Sequence, residues 1–152
     1  MREILFRGKR KNGNKEWIYG NVNYYPNLNR WFIRLHPSSN AVPTLEDEVI
    51  SETVGQYTGL TDKNGKKIFE GDIVKEFLWP NNIGVVSFEK GSFCSGMESF
   101  YGWIYKGVDG RTENRELYDS GDYDCAPLEV IGNIYDNPEL LEGGEECEKT
   151  YM

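Results

Sequence analysis

The side chains best suited to bind a ligand are basic and aromatic, and they are interleaved in the first third of the chain and again near residue 60. Guanidinium and ammonium groups hold phosphates, and flat aromatic rings stack on nucleobases. An aromatic core with basic side chains at its rim gives the same mixture, so both interpretations stay open. The candidate ligand-binding residues are Arg7, Arg10, Lys11, Trp17, Tyr19, Trp31, Arg34, Tyr57, Thr58 and Lys63.

Few residues in the chain are suited to catalysis. His36 is the only histidine, which leaves at most one imidazole base. A Cys–His pair would need Cys94 or Cys125 beside it, and nothing in the local sequence indicates that arrangement. The three cysteines show no Cys-x-x-Cys spacing, so neither a zinc site nor a disulfide framework is predicted. We expect a protein that is not an enzyme, with no catalytic residue, metal or cofactor.

Acidic residues are concentrated late in the chain. Asp119, Asp122 and Asp124 lie close together, but their order does not match an EF-hand loop, and a solvated loop explains them. The acids of residues 113–124 and of the C-terminal tail could instead form a face that binds another protein, such as an enzyme. Scattered carboxylates with a metal would be the basis of a hydrolase. Both alternatives stay open at this point.

Charge is distributed unevenly along the chain. The net charge is −8, yet residues 1–35 carry eight Lys and Arg against two acids, which leaves −14 for residues 36–152. A strongly acidic chain is poorly suited to duplex DNA, because that binding needs many contacts between basic side chains and phosphates. A local basic segment can hold a small anion, contact an acidic face of a second copy, or simply be a solvated hairpin.

The composition favours one β-rich domain. A length of 152 residues suits a single domain, and an aromatic share of 14% favours half-buried, pleated surfaces. The apolar run at the N-terminus is too short for a signal peptide, and no stretch approaches the roughly 20 apolar residues of a membrane-spanning helix. We therefore expect a cytoplasmic protein that does not bind membranes.

Turn signals divide the chain into short strands. Asn12-Gly13 and Asn64-Gly65 predict hairpins in which both turn residues have positive φ. Asn137-Pro138 predicts the start of one short C-terminal helix. The predicted strands are residues 2–7, 16–23, 30–35, 73–78, 84–88, 99–105 and 128–134.

The predicted fold is mainly β, with α+β as the alternative. A turn at Gly71-Asp72 followed by a strand, and the apolar strand that starts at Gly84, are typical of small barrels. We predict a small SH3-like barrel core built from hairpins. The predicted domain covers residues 1–141, and residues 142–152 form an acidic, flexible tail.

Three segments carry a family resemblance. Arg2–Arg7 forms an opening strand, Gln56–Val74 a central motif and Glu129–Leu141 a closing motif, and in this order they resemble the YopX family of phages and prophages. The resemblance implies a phage or prophage origin, a β-rich fold and a tendency to self-associate. It implies no activity, because the function of the family is uncharacterised. Arg7–Lys15, which is almost purely basic, and Phe93–Pro127 depart from the family pattern.

These observations predict a non-enzymatic accessory protein. We expect it to form a homo-oligomer and to sequester a small anionic ligand, such as a nucleotide immune signal of the host. Capture without turnover needs a preformed site and no nucleophile. The first alternative is an adaptor or inhibitor that binds a host protein through its acidic face, and the second is a metal-dependent hydrolase.

Overall fold

Eleven β-strands and two short 3₁₀ turns make up the regular structure of the residues that the structure, a computed structural model, describes. The prediction of a mainly β fold is confirmed. Within the described ranges no helix is both long and apolar enough to cross a membrane. The described residues are 3–35, 46–76, 82–92, 99–108, 115–116 and 128–142.

The chain divides into two compact units, residues 1–59 and 60–152. The single domain expected over residues 1–141 stays a prediction. The strands are β1 Phe6–Lys9, β2 Trp17–Tyr25, β3 Arg30–Leu35, β4 Glu46–Val49, β5 Gly55–Thr61, β6 Lys67–Phe69, β7 Asp72–Glu76, β8 Ile83–Ser92, β9 Ser99–Gly107, β10 Arg115–Glu116 and β11 Leu128–Asn133.

The sheet of the first unit is antiparallel, with the strand order β4-β3-β2-β1-β5. Because side chains alternate between faces, this register separates an apolar face from a polar one. Ile18, Ile33 and Val49 lie on the apolar face and form a buried cluster. Gly20 lies between strands where an added Cβ would come 1.9 Å from the backbone oxygen of Arg34, so only glycine fits.

The second unit has a five-stranded sheet with the order β10-β9-β8-β7-β11. Its pairs are antiparallel apart from one parallel bridge between Arg115 and Ser92. β5 continues into this unit, where it forms a hairpin with β6. The core cluster of this unit consists of Ile68, Val74, Val86, Tyr105 and Leu128.

The two Asn-Gly hairpins differ from the predicted turn and from each other. In each Asn-Gly dipeptide only the glycine has positive φ, +76° at Gly13 and +81° at Gly65, so neither turn is the predicted type in which both residues do. In the first hairpin Arg10 N donates to Glu16 O, which leaves residues 11–15 as a wide loop. In the second, Gly65 N donates to Asp62 O and closes a tight turn.

Buried carboxylates hold the turns of the second unit. Asp62, 4% exposed, accepts hydrogen bonds from the backbone N–H groups of Asn64, Lys66 and Val130 at 2.9, 2.9 and 3.0 Å. Asp72, 2% exposed, accepts one from Phe69 N at 2.8 Å. These acids satisfy backbone donors that the turns leave without strand partners.

Two details of the predicted fold are wrong. Neither sheet closes into a barrel within the described residues, so the SH3-like core is not present there. The predicted short C-terminal helix is present as a 3₁₀ helix, Pro138–Leu141, but Asn137 does not cap it. Its side-chain oxygen accepts a hydrogen bond from Asn133 N at 3.3 Å instead.

Several predictions fall outside the described residues. They concern the loop containing His36, the three cysteines, the carboxylates of Asp119, Asp122 and Asp124, and the tail after residue 142. Within the acidic segment 113–124, Arg115–Glu116 forms the short strand β10.

Candidate functional site

Five of the basic and aromatic side chains share the polar face of the first unit's sheet. Arg7 lies opposite Tyr19 and Lys9 opposite Trp17, because β1 pairs with β2. Arg34 of β3 lies opposite Asn21, which is the next residue after Tyr19 on the same face of β2. We call Arg7, Lys9, Trp17, Tyr19 and Arg34 the basic–aromatic cluster.

The Trp17 ring is the best-defined contact in this cluster. The guanidinium carbon of Arg7 lies 4.5 Å from the ring centroid, and the Lys9 ammonium lies 5.6 Å from it. Both distances are within the range of cation–π attraction. Arg7 is 5% exposed, whereas Tyr19 is 44% exposed. The cluster therefore combines a held cation with an aromatic ring that solvent can reach.

Arg10 and Lys11 were predicted as ligand-binding residues, but carboxylates of the same unit engage their charges. Arg10 forms an ion pair with Glu16 and another, at 2.8 Å, with Asp47. The ammonium of Lys11 lies 3.3 Å from Glu48. An anion could reach these groups only in competition with carboxylates that are already in place.

Glu48 makes the best-aligned ion pair on the polar face of the first unit's sheet. Arg30 donates two parallel hydrogen bonds to it, from Nε at 2.8 Å and from Nη2 at 2.7 Å. These hydrogen bonds lower the pKa of Glu48 from 4.5 to about 2. A hydrogen bond to Glu46 raises the pKa of the Tyr25 phenol on the same face. Hence pairing of β4 with β3 places acidic side chains beside the basic side chains of this sheet.

Of the other predicted residues, Trp31, Thr58 and Lys63 lie apart from the cluster. Trp31 is on the opposite face of the sheet, stacked on Tyr24 with ring centroids 4.5 Å apart. Tyr57 follows Gly55, the partner of Arg7, on the same face of β5, but it is buried at 6% exposure, and Thr58, at 4%, is on the other face. Lys63 belongs to the second unit, where its ammonium lies 3.5 Å from Glu129.

Lys9 is the cluster residue that sequence reasoning missed. The first strand was predicted to end at residue 7, whereas β1 extends through Lys9 and places it two residues from Arg7 on the same face. Extending the alternation of Leu5 and Arg7 by one step would have found it. The acids of β4 were missed because pairing between β3 and β4 joins residues that are distant in sequence.

The charge asymmetry of the sequence is largely neutralised in the first unit. Its described residues, 3–35 and 46–59, carry seven basic and six acidic side chains, a net charge of +1. Glu46, Asp47 and Glu48 of β4 account for half of these acids. The positive charge is therefore a local property of the basic–aromatic cluster and of the Arg10–Glu16 hairpin loop.

A second exposed surface lies on the hairpin of β8 and β9. Phe88 lies opposite Trp103, with edge-to-face rings 5.2 Å apart, and Tyr101 follows on the same face. Phe88 is 56% exposed and Tyr101 is 77% exposed. We call these three residues the aromatic row. Exposed apolar patches of this kind are typical of contact surfaces.

The carboxylates of the second unit do not form a metal site in the part of the chain that the structure describes. No three His, Cys, Asp or Glu side chains lie there in a group that could hold a metal ion. Glu76, 1% exposed, accepts hydrogen bonds from the Tyr105 hydroxyl and, at 3.2 Å, from the Asn82 amide. These hydrogen bonds give Glu76 a structural role.

Comparison with known proteins assigns the chain to a protein family. The family model described as YopX protein matches residues 5–142. The crystal structure of protein EF1440 from Enterococcus faecalis is similar, with 21% sequence identity and a TM-score of 0.48 over 93% of this chain and 99% of that chain. No curated protein sequence matches. Since the family model covers most of the chain and includes both its central and closing motifs, the chain belongs to the YopX family.

Proposed function

We propose that this protein is a non-enzymatic accessory protein of a phage or prophage that binds and sequesters a small anionic ligand. A nucleotide that serves as an immune signal of the host is the ligand class we favour. The observation that carries the proposal is the basic–aromatic cluster, in which an exposed tyrosine ring shares a sheet face with Arg7, Lys9 and Arg34.

The chemistry of the cluster suits a nucleotide in both of its parts. A base can stack on the exposed Tyr19 ring, because every base has a π-face. A phosphate can accept hydrogen bonds from the Lys9 ammonium and the Arg34 guanidinium. The contacts of Arg7 and Lys9 with Trp17 hold these cations close to the ring before any ligand arrives, which reduces the ordering that binding requires.

Binding without turnover is the simplest use of such a cluster. Its five side chains include two rings and three cations, and they include no serine, threonine or cysteine nucleophile and no carboxylate base. The ligand would therefore leave the protein unchanged. Self-association remains part of the proposal, because the family resemblance favours it.

A matched pair of tyrosine variants tests the site. Tyr19 and Tyr24 both belong to β2 and have the same exposure of 44%, but they lie on opposite faces of the sheet. Linear and cyclic nucleotides are titrated into the wild-type protein, Tyr19→Ala and Tyr24→Ala. We expect Tyr19→Ala to weaken binding about 5- to 150-fold, since one base stack contributes about 1–3 kcal/mol.

Tyr24→Ala should bind as the wild type does, because Tyr24 stacks on Trp31 on the other face. Equal losses of nucleotide affinity in the two variants would show that both substitutions act by destabilising the protein. That result would remove the support for this site. The absence of affinity for every nucleotide at physiological salt would contradict the proposed function itself.

A protein-binding adaptor is the second candidate function, and the aromatic row favours it. Aromatic side chains are enriched at protein interfaces, and Tyr101 is the most exposed of the large apolar side chains described. A photo-crosslinking residue at position 101 should give a discrete crosslinked species with a purified host protein or a second copy. The same residue at position 66, on an exposed turn, is the control. Equal crosslinking at both positions would argue against an adaptor.

A further inference from the structure

We infer that Asn12 is a site of spontaneous deamidation, and that Asn64, in the same dipeptide, is protected from it by Asp62. An asparagine followed by glycine is the sequence most prone to this reaction, because glycine leaves the attacking nitrogen unhindered. The chain contains Asn-Gly twice, at Asn12-Gly13 and Asn64-Gly65. Both asparagines are exposed, so solvent access does not distinguish them.

The reaction needs a free and mobile backbone nitrogen. The Gly13 nitrogen loses its proton and attacks the side-chain carbonyl carbon of Asn12, a C–N bond forms, and ammonia leaves to give a cyclic succinimide. Water then opens the ring at either carbonyl and gives aspartate or isoaspartate. Apart from water, the reaction needs no second reactant, and no oxidation or reduction takes place.

The first hairpin leaves these groups unrestrained. In the described part of the chain, neither the Gly13 N–H nor the Asn12 side chain takes part in a hydrogen bond. An added Cβ at Gly13 would meet nothing within 4 Å, so the loop is also sterically open. Its backbone is held only near its base, where Arg10 N donates to Glu16 O and Lys11 N donates to Glu48 O, each at 2.9 Å.

The second hairpin holds the same dipeptide at three points. Gly65 N, the attacking nitrogen, donates to Asp62 O at 3.0 Å. The N–H groups of Asn64 and Lys66 both donate to Asp62 Oδ1 at 2.9 Å. The hydrogen bond of Gly65 N must break before this nitrogen can attack, and the other two restrain the backbone rotation that ring closure needs. With roughly a fivefold effect for each, we expect Asn64 to react about a hundredfold more slowly than Asn12.

Deamidation would change the charge of the loop. The product adds a carboxylate between Lys11 and Lys15, close in sequence to the Arg10–Glu16 ion pair. The net charge of the described part of the first unit would fall from +1 to zero. Isoaspartate would also add a methylene group to the backbone of this loop.

The test follows both dipeptides in one sample. The full-length protein is incubated at mildly alkaline pH, digested with a protease that keeps each Asn-Gly within a peptide, and analysed by mass spectrometry for replacement of the amide by an acid. The expected result is rapid conversion at Asn12 and about a hundredfold slower conversion at Asn64. Equal rates at the two sites, or a faster rate at Asn64, would overturn the inference.

Two further measurements test the role of Asp62. Asp62→Ala should accelerate conversion at Asn64 and leave Asn12 unchanged, and an unchanged rate at Asn64 in the folded variant would contradict the inference. If this variant does not fold, the wild-type protein is incubated in denaturant. There the two rates should become similar, because both dipeptides are then free, and a persisting difference would overturn the inference.

Discussion

Carboxylates are used differently in the two units of this protein. In the second unit Asp62 and Asp72 are buried and accept hydrogen bonds from backbone N–H groups of turns. In the first unit Asp47 and Glu48 lie nearer the surface and pair with basic side chains. The first arrangement fixes the backbone, and the second removes positive charge from a surface.

The residues of the central family motif and those of the proposed ligand site have different roles. The motif Gln56–Val74 contains Asp62, Gly65, Gly71 and Asp72, and each of these has a structural reason at its position. Of the basic–aromatic cluster, only Arg7 lies in a segment that carries the family resemblance, the opening strand Arg2–Arg7. The residues of the central motif therefore describe how the chain folds, whereas the proposed ligand site depends mainly on side chains outside the three segments.

The largest effect should come from removing a buried carboxylate. Asp62→Ala leaves three backbone donors without their acceptor and should lower the free energy of unfolding by about 3–5 kcal/mol, since a hydrogen bond to a charged group contributes about 1.5–3 kcal/mol and water replaces part of it. Asp47→Ala, at the surface, should cost about 0–1 kcal/mol. Denaturant unfolding measures both free energies. Similar losses in the two variants would contradict the claim that the buried carboxylate contributes more to stability than the surface carboxylate.

A matched pair of glycines should show an intermediate effect. Gly13 and Gly71 have φ of +76° and +88°, so alanine is strained at both by about 1–2 kcal/mol. Only at Gly71 would the new Cβ come within 3.2 Å of the Tyr135 ring. We expect Gly71→Ala to cost about 2–4 kcal/mol in total. Equal changes in the denaturation midpoint would show that the Tyr135 contact yields easily.

A smaller effect is expected from single cations in the first unit. Lys9→Gln should weaken nucleotide binding about fivefold, or about 1 kcal/mol, because Lys9 belongs to the basic–aromatic cluster. Lys11→Gln should have no effect, because Glu48 already binds that ammonium. Titrations at low and physiological salt measure both, and the loss from Lys9→Gln should shrink as salt rises. A larger loss from Lys11→Gln would place the site at the hairpin loop instead.

The smallest effect concerns Glu48. Its pKa is about 2 in the folded protein against 4.5 for an unperturbed glutamate, so its stabilising contribution is complete above about pH 4.5 and is lost as the pH falls towards about 2. Glu48→Gln should therefore flatten the acid limb of the stability profile in this window. Glu142→Gln, an exposed site, is the control, and an unchanged acid limb in Glu48→Gln would show that the Arg30 pair does not stabilise the fold.

Sequence alternation and turn residues predicted the positions of the strands better than they predicted which strands pair. The strand Arg30–Leu35 and the two Asn-Gly hairpins follow from alternation and turn residues, which act over a few positions. The pairing of β3 with β4 joins segments that are distant in sequence, and neither alternation nor propensity specifies it. For that reason the basic surface was overestimated, and Arg10 and Lys11 were predicted to face a ligand when they face carboxylates.

The central claim is that the protein holds an anionic ligand without transforming it. Native mass spectrometry of the protein purified from its expression host, before and after mixing with linear and cyclic nucleotides, measures this directly. We expect the wild-type protein to retain one nucleotide with its mass unchanged, and the Tyr19→Ala variant to retain none. A nucleotide of altered mass would contradict sequestration and indicate an enzyme, and a protein that binds none of the panel would contradict the ligand site.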